Sequence, residues 1–394
     1  MLKTERISHL QGIIQNHGLA GAVLFHSRDI VYYTNTAQPS FLVIRPDDYM
    51  LFVRRGLDFA LNESWLDAGR IAGERSLEKV IETMFPWPGL AGEKIGTELD
   101  LLTIPQARVM NRALNGRGLA DISPAVLRQR MIKDEDEVDC IRKACSAIHA
   151  GHLAAVSVLR PGITELELAA AVENAQRIAG HEGCFFIRAP DFVMSRGPLA
   201  SGENLRCTSG TLYTLSGAGL SNAVPTGPSR RIIKPFDLIL IDIPTCIEGY
   251  HADQSRMYSV GRPHSRANDL FEKLKALADH IIQNMRPGIA IKDLAGDAFS
   301  EAAGIGLKDS FMMFGEKIPR AHFIGHGVGL EINEPPMLSS NVDVVLSPGM
   351  TLALELHLME PGAYTLKLED TLHITPTGAE ILTLSPRLMV EVQA

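Results

Sequence analysis

The sequence lacks the features that mark membrane, secreted or nucleic-acid-binding proteins. No apolar run in its 394 residues approaches the roughly 18 residues that span a bilayer. Residues 1–18 have the pattern of an amphipathic helix, without the apolar core or cleavage site of a signal peptide. A net charge of −8 gives no sign of the basic surface that nucleic acid or anionic lipid attracts. We therefore expect a cytoplasmic protein without nucleic-acid or membrane partners.

Cysteine is also scarce. The five cysteines are odd in number and lack the spacing of a zinc knuckle. A reducing compartment agrees with this usage. Cys246 lies near the carboxylates described below, but no Cys/His dyad is visible in the sequence, so a cysteine nucleophile is the weaker interpretation.

The length of the whole chain allows two or three domains. The sequence of its first third indicates an alternating α/β unit. The pattern predicts a helix over Glu5–His17, a strand over Gly21–Phe25 and a hairpin of two strands over residues 40–45 and 49–53. A charged run that starts at Lys133 suits the first turn of a long helix. We therefore predict domains at residues 1–125 and 126–394.

The second part contains a short internal repeat. The tetrapeptide Arg-Pro-Gly-Ile occurs at Arg160–Ile163 and again at Arg286–Ile289, each time where a predicted helix stops. This hints at a duplicated unit of helices and strands.

Two aspartates interrupt an otherwise apolar stretch. Residues 238–241 form a continuous apolar run typical of a strand buried on both faces, and Asp242 follows directly. A hairpin after it would bring Asp253 close to Asp242. Because an unpaired carboxylate in an apolar interior is costly, each needs a partner. The alternatives are a metal ion, a turn that the aspartate caps, or an ion pair with Arg256.

A histidine downstream is the next candidate ligand. His326 is flanked by Gly325 and Gly327, which let the backbone approach a neighbour closely. These glycines disfavour a helix on which His322 and His326 would form an i, i+4 pair of zinc ligands.

Two glutamates complete the set. Glu355 and Glu369 lie in apolar, strand-like segments, with Glu369 on one face with Lys367 and Thr371. Four carboxylates and one imidazole suit two divalent ions, with manganese, cobalt, zinc and iron all compatible, and the lack of thiolates disfavours structural zinc. Two bridging carboxylates would hold the ions roughly 3.5 Å apart with a hydroxide between them.

In order and spacing these residues resemble the pita-bread metallohydrolases, the family of aminopeptidase P, prolidase and methionine aminopeptidase, with creatinase as a relative without metals. The Asp-x10-Asp, Gly-His-Gly-x-Gly and Leu-Glu-Asp-Thr segments carry the resemblance, which covers residues 125 to 390. It implies an α/β (α+β) fold, with a creatinase-type N-terminal α/β domain followed by a C-terminal pita-bread domain. It also implies a homodimer.

The same resemblance assigns roles to residues. The implied metal ligands are Asp242, Asp253, His326, Glu355 and Glu369. Of these, Asp253 and Glu369 would bridge the two ions, and Glu355 would also shuttle a proton. His322 resembles the family histidine that steadies the tetrahedral intermediate.

Several positions depart from the family pattern. Family peptidases often have histidine where this chain has Thr226 and Asn333. The Pro-Gly that usually follows the fourth ligand is Leu356-His357, and an arginine common two residues before the last glutamate is Lys367. The metal ligands are therefore retained, whereas the substrate-binding residues differ.

The leading hypothesis is a two-metal hydrolase of small peptides, an Xaa-Pro dipeptidase or aminopeptidase, in which a bridging hydroxide attacks the scissile carbonyl. An alternative keeps the fold but acts as a hydrolase or lyase of a small non-peptide metabolite, as creatinase does. A third interpretation is a non-catalytic binding module that kept only the fold.

Overall fold

The chain divides into two compact units, Met1–Arg130 and Met131–Ala394. The computed structural model describes residues 3, 5–85, 92–114, 116–189, 192, 194, 196–210, 214–314, 320–360 and 363–394. The predicted boundary after residue 125 falls within the last helix of the first unit. Within the described ranges, no helix combines the length and apolar character needed to cross a membrane.

The first unit is an α/β unit around one sheet. Its helices are α1 (Glu5–Asn16), α2 (Ser27–Thr34), α3 (Leu57–Glu63), α4 (Leu77–Met84), α5 (Ile104–Leu114) and α6 (Ser123–Arg130). Its strands are β1 (Gly21–Leu24), β2 (Ser40–Ile44), β3 (Tyr49–Val53), β4 (Ile71–Gly73), β5 (Lys94–Thr97) and β6 (Gly118–Asp121). The described strands form one six-stranded sheet in the order β4-β3-β2-β1-β5-β6.

Local sequence signals explain this unit well. The strand pairs β1/β2 and β2/β3 are antiparallel, and the remaining neighbours are parallel. Strand β1 reads Gly-Ala-Val-Leu and is buried throughout, as expected of a central strand covered on both faces. The predicted first helix, first strand and hairpin are confirmed, each to within one residue at its ends.

The second unit packs helices against sheets whose described strands are antiparallel, except where one of them pairs in parallel with the last strand. Its helices are α7 (Glu135–Val158), α8 (Glu165–Ile178), α9 (Ser265–Asn284) and α10 (Ile291–Gly304). Its strands are β7 (Leu199–Ser201), β8 (Leu238–Asp242), β9 (Thr245–Ile247), β10 (Tyr250–Ala252), β11 (Ser255–Val260), β12 (Gly325–Gly327), β13 (Thr351–Met359), β14 (Thr365–Thr375), β15 (Gly378–Ile381) and β16 (Val390–Val392). The described strands form sheets in the orders β16-β11-β8-β7 and β12-β13-β14-β15, with β9 and β10 as a separate hairpin.

The repeated tetrapeptide joins two helix pairs. It connects α7 to α8 in its first copy and α9 to α10 in its second. Its glycines, Gly162 and Gly288, both have φ of 92°, a backbone conformation that only glycine adopts readily. Their N–H groups donate to Ile233 and Leu346 carbonyls, both over 2.9 Å. The two copies therefore share one local structure, in agreement with an internal duplication.

The longest strand pair, β13 with β14, shows a strict alternation of side chains. On β13 the leucines at alternate positions from Leu352 to Leu358 belong to the main hydrophobic core, and so do Leu366, Leu368 and Leu372 of β14. Because a strand repeats every two residues, the intervening positions all point to the opposite face. Most residues on that face are polar, including Glu355, Glu369 and Lys367, and Ala353 and Met359 are the apolar ones.

Candidate metal centre and active site

Asp242 and Asp253 flank a short insertion between two paired strands. Asp242 ends β8, and its Cα pairs with that of Ser255 at the start of β11. Between them, β9 and β10 form a hairpin whose two turn residues, 248 and 249, have φ of 52° and 80°, as a two-residue type I′ turn requires. Asp253 follows β10, and its N–H donates to Thr371 Oγ1 over 2.9 Å. The hairpin thus sets both carboxylates beside β14.

His326 is held at the centre of the short strand β12, where its flanking glycines meet other backbone. A Cβ on Gly327 would lie 2.5 Å from Pro335 O and 2.6 Å from Glu334 O, so no larger residue fits. His326 Nδ1 lies 3.0 Å from Gly327 O. With its proton on Nδ1 donated to that carbonyl, the ring presents an unprotonated Nε2 as a ligand atom.

Register places the two glutamates face to face. Glu355 on β13 pairs directly with Glu369 on β14, and both side chains are buried. Two like charges directly opposite each other destabilise a sheet, so this pair needs either a compensating cation or a proton on one carboxylate. Ser255 Oγ donates to Glu369 Oε2 over 2.6 Å and fixes that carboxylate.

The five predicted ligands converge into two groups that share Glu369. Within each group the ligand atoms lie within 4.8 Å of one another, and every member is buried. The histidine group consists of Asp253, His326 and Glu369. The lysine group consists of Asp242, Glu355 and Glu369. The set of residues predicted from the sequence as ligands is thus brought together, and the assignment of each as a ligand stays a prediction.

A buried lysine gives the lysine group its name. Lys367 Nζ lies 2.5 Å from Asp242 Oδ2, 2.6 Å from Glu355 Oε1 and 3.3 Å from Glu369 Oε2. It also donates to Thr214 Oγ1 over 2.7 Å. The sequence placed Lys367 on the same face as Glu369, but it gave no sign that the ammonium group would enter the carboxylate cluster. Thr214, far away in the chain, had no sequence signal.

The protonation of these groups follows from burial and charge. Burial would lower the pKa of Lys367, but Asp242 and Glu355 outweigh it and raise that pKa well above its ordinary value. Burial opposes ionisation of Glu355, yet Lys367 and His326 lower its pKa to about 2. In Asp242 burial prevails over Lys367, and the pKa is raised. Lys367 and Glu355 are therefore a charged pair.

The histidine group is less well compensated. Burial, followed by the charges of Glu369 and Asp242, raises the pKa of Asp253 well above its ordinary value. Burial also raises the pKa of Glu369 to about 8, with Asp242 and Glu355 adding to it and Lys367 opposing it. Crowded carboxylates beside an imidazole, with raised pKa values, are the donor set of a site for a divalent cation. The residues therefore fit a metal ion.

Both ligand groups line a cavity of about 450 Å³. Apolar side chains form much of the wall: Ile187, Phe192, Met194, Phe323, Ile332 and Met337. Arg188 and Asn333 add polar groups to it. A cavity of this size, with mainly apolar walls and a few polar groups, suits a small ligand.

Two sequence expectations have a different outcome. Arg256, considered as a partner for the aspartates at 242 and 253, instead pairs with Asp370 over 2.6 Å, so that alternative is wrong. His322 has an exposed side chain and is absent from the cavity wall as far as the described residues define it. Its role as a stabiliser of the tetrahedral intermediate stays a prediction.

Buried carboxylates and an imidazole that line a small cavity are typical of a metal-dependent enzyme. The model of metallopeptidase family M24 matches residues 139–376, and that of the creatinase/prolidase N-terminal domain matches residues 6–132. The chain belongs to metallopeptidase family M24. Its fold is accordingly the expected one, a creatinase-type N-terminal domain followed by a pita-bread domain.

Similar proteins share much of the chain. The Xaa-Pro dipeptidase of Pyrococcus horikoshii is 26% identical over 94% of both chains. A probable dipeptidase of Mycobacterium tuberculosis, PepE, is 29% identical over 67% of this chain, and the match spans only 62% of that relative's length. The structure of an Xaa-Pro dipeptidase from Bacillus anthracis has a TM-score of 0.83 at 22% identity and covers 99% of this chain and 100% of that one, which is evidence for the fold alone.

Proposed function

We propose that this protein hydrolyses small peptides at Xaa-Pro bonds, as a dipeptidase. The observation that carries the proposal is the buried histidine group that lines a cavity of about 450 Å³. The similarity to an Xaa-Pro dipeptidase along 94% of the chain supports this substrate class. We also propose that the cation is a first-row divalent ion such as manganese, which carboxylate and imidazole ligands suit.

The cavity supports a substrate of dipeptide size. Its volume lies towards the lower end of the range typical of ligand sites. The apolar wall residues Phe323, Ile332 and Met337 suit the compact apolar ring of proline. Arg188 provides a positive charge on the wall that complements the free carboxylate of a dipeptide. A short peptide with both ends close to the scissile bond therefore fits better than a long one.

The residues divide the work of hydrolysis. A divalent cation, when bound, polarises a carbonyl and lowers the pKa of water. Asp253, His326 and Glu369 would hold it. Glu355 lines the cavity as an ionised carboxylate, held by Thr214 Oγ1 at 2.5 Å, and is the proton acceptor that we propose.

The experiment is a substrate panel on protein treated with a chelator and then given Mn²⁺ or Co²⁺. The panel contains Xaa-Pro dipeptides, Xaa-Pro-Yaa tripeptides and Xaa-Ala dipeptides. We expect cleavage of the Xaa-Pro dipeptides first, lost with chelator and restored by the cation. Cleavage that persists without cation, or a loaded protein that cleaves none of the peptides, contradicts the proposal.

Two variants make the assay specific. Asp253→Asn removes one carboxylate of the histidine group, and we expect it to abolish both cation binding and cleavage. Glu380→Gln is the matched control. Glu380 lies on β15, the strand next to β14, and its carboxylate pairs with Arg142 at the surface. It should cleave like the wild type.

A non-peptide substrate is the second candidate. Asn333 lies in the cavity wall at a position where family peptidases often have histidine, so the substrate contacts differ there from the family pattern. If the loaded protein binds a cation but leaves every peptide intact, a search among small amides and guanidino compounds is the next step.

A further inference from the structure

The strongest unassigned feature is the ammonium group inside the carboxylate cluster. Lys367 is 1% exposed, and its Nζ contacts each member of the lysine group within 3.3 Å. Among the ion pairs formed by described residues, Lys367 pairs with these carboxylates alone. The hydroxyl of Thr214 supplies a fourth oxygen. Four oxygens around one buried nitrogen are the surroundings of a bound cation.

A metal ion and this ammonium group would compete for the same oxygen atoms. Divalent ions bind carboxylate oxygens at about 2.0–2.2 Å. An ion on Asp242 Oδ2 or Glu355 Oε1 would therefore lie within about 5 Å of Nζ, in a buried place where repulsion is weakly screened. Two-metal sites hold their ions only about 3.5–4 Å apart. The ammonium group thus takes a place comparable to that of the second ion.

Displacing the lysine would be unfavourable. Its Nζ would leave four oxygen partners, and a buried charge deprived of its partners is strongly destabilising. Its Cα is held within the paired part of β14, opposite that of His357. By contrast, no lysine or arginine among the described residues forms an ion pair with Asp253. The need for an external cation is therefore concentrated in the histidine group.

We propose that Lys367 serves as the second cation of this site, so that the chain takes one divalent ion, held by Asp253, His326 and Glu369. The inference rests on the proposed metal-dependent function and makes its site specific. The sequence predicts two ions, whereas this inference predicts one, because β14 has a lysine at position 367. A neutral residue of similar length at position 367 should therefore open the second place to a metal.

The experiment counts ions on the full chain. Chelator-treated protein is titrated with Mn²⁺ by calorimetry, and the bound metal is counted by mass spectrometry after desalting. We expect one Mn²⁺ per wild-type chain, with the paramagnetic resonance spectrum of an isolated ion. Two ions per wild-type chain, with the spectrum of an exchange-coupled pair, overturn the inference.

Variants test the part played by the lysine. Lys367→Met should raise the count from one ion to two. Lys133→Met is the matched control, because Lys133 is also a buried lysine, paired with Glu334 over 2.7 Å outside the cluster. It should keep one ion. A folded Lys367→Met protein that still binds one ion overturns the inference, and if this variant does not fold, the wild-type count and spectrum decide.

Cleavage measured on the same samples separates this inference from the proposed function. Two ions with cleavage of Xaa-Pro dipeptides would end the inference and leave the function standing. One ion without cleavage of any peptide would support the inference and end the function. Protein that binds no ion under any condition overturns both.

Discussion

Strand β14 carries two buried acids on opposite faces, and the protein treats them differently. Glu369 faces the carboxylate cluster, and burial together with Asp242 and Glu355 raises its pKa to about 8 although Lys367 opposes this. Its neighbour Asp370 points to the leucine-rich face. Burial opposes its ionisation too, but Arg256 and Arg387 together with the hydrogen bond from Thr383 outweigh burial, and the pKa is lowered.

Asp370 and Glu369 differ in the positive charges that neighbouring side chains provide. Asp370 accepts hydrogen bonds from Arg256 over 2.6 Å, from Arg387 over 2.7 Å and from Thr383 over 2.7 Å. Glu369 has Ser255 and a more distant lysine, and it faces another glutamate. A buried acid whose charge is compensated by arginines stabilises the fold. A buried acid surrounded by other acids lacks that compensation and is a candidate for binding a cation. Adjacent residues on one strand can therefore differ wholly in purpose.

The largest effect on activity should follow from a substitution on the face of β14 that points towards the carboxylate cluster. Glu369→Gln removes the carboxylate shared by both ligand groups, so we expect cation binding to be lost. Because a bound cation contributes several kcal/mol to catalysis, turnover should fall by about 10³-fold or more. Peptide cleavage at saturating Mn²⁺ measures this. Retention of more than about a tenth of the activity would contradict a ligand role for Glu369.

Breaking the other face should affect stability instead. Asp370→Asn leaves Arg256 and Arg387 buried with less compensation, and removing one partner of a buried ion pair costs about 3–5 kcal/mol. We expect a loss of about 4 kcal/mol in the free energy of unfolding, measured with urea in the presence of chelator. The folded variant should still bind Mn²⁺. A stability equal to that of the wild type would show that the arginines do not depend on Asp370.

The sequence predicted the cluster because its signals are local. Acids inside apolar strands and a histidine between glycines are unusual enough to be recognised one by one, and the resemblance put them in order. Strand periodicity even placed Lys367 with Glu369. Alternation of leucines on β13 and β14 follows from the same two-residue period. These features need no knowledge of distant contacts.

Distant contacts account for what the sequence did not give. Whether Lys367 turns towards the carboxylates depends on where β8 brings Asp242, 125 positions away in the chain. The partner of Arg256 depends on which face of β14 it meets, and its pairing with Asp370 spans 114 positions. Thr214 belongs to no element with a periodic pattern. Partner choice of this kind is a property of packing, and single-sequence patterns do not carry it.

The smallest predicted effect concerns pH and compares the two faces in one protein. The pKa of Glu369 is about 8 in the folded state, above the ordinary 4.5 expected of the unfolded chain. Between these values the unfolded state releases a proton that the folded state keeps. Its contribution to stability is therefore fully present below pH 4.5 and is lost as the pH rises towards 8. Asp370 has the opposite sign, because its lowered pKa favours folding above pH 3.8 and that contribution is lost at lower pH.

The expected slope is up to about 1.4 kcal/mol per pH unit, or about 3 kcal/mol from pH 5.5 to 7.5. Unfolding in urea with chelator, measured for the wild type and for Glu369→Gln, gives the pH-dependent effect of the Glu369 carboxyl on stability, including its influence on the pKa of Asp253. Titratable groups far from the cluster contribute alike in both proteins. The free energy of unfolding of the variant, relative to that of the wild type, should increase with pH across this interval. Saturating Mn²⁺ should remove the decline in the wild type, since the cation supplies the charge that the cluster lacks. If the free energy of unfolding varied with pH in the same way in both proteins, neighbouring side chains would already compensate the charge of Glu369. Glu369 and Asp370 would then not differ in charge compensation.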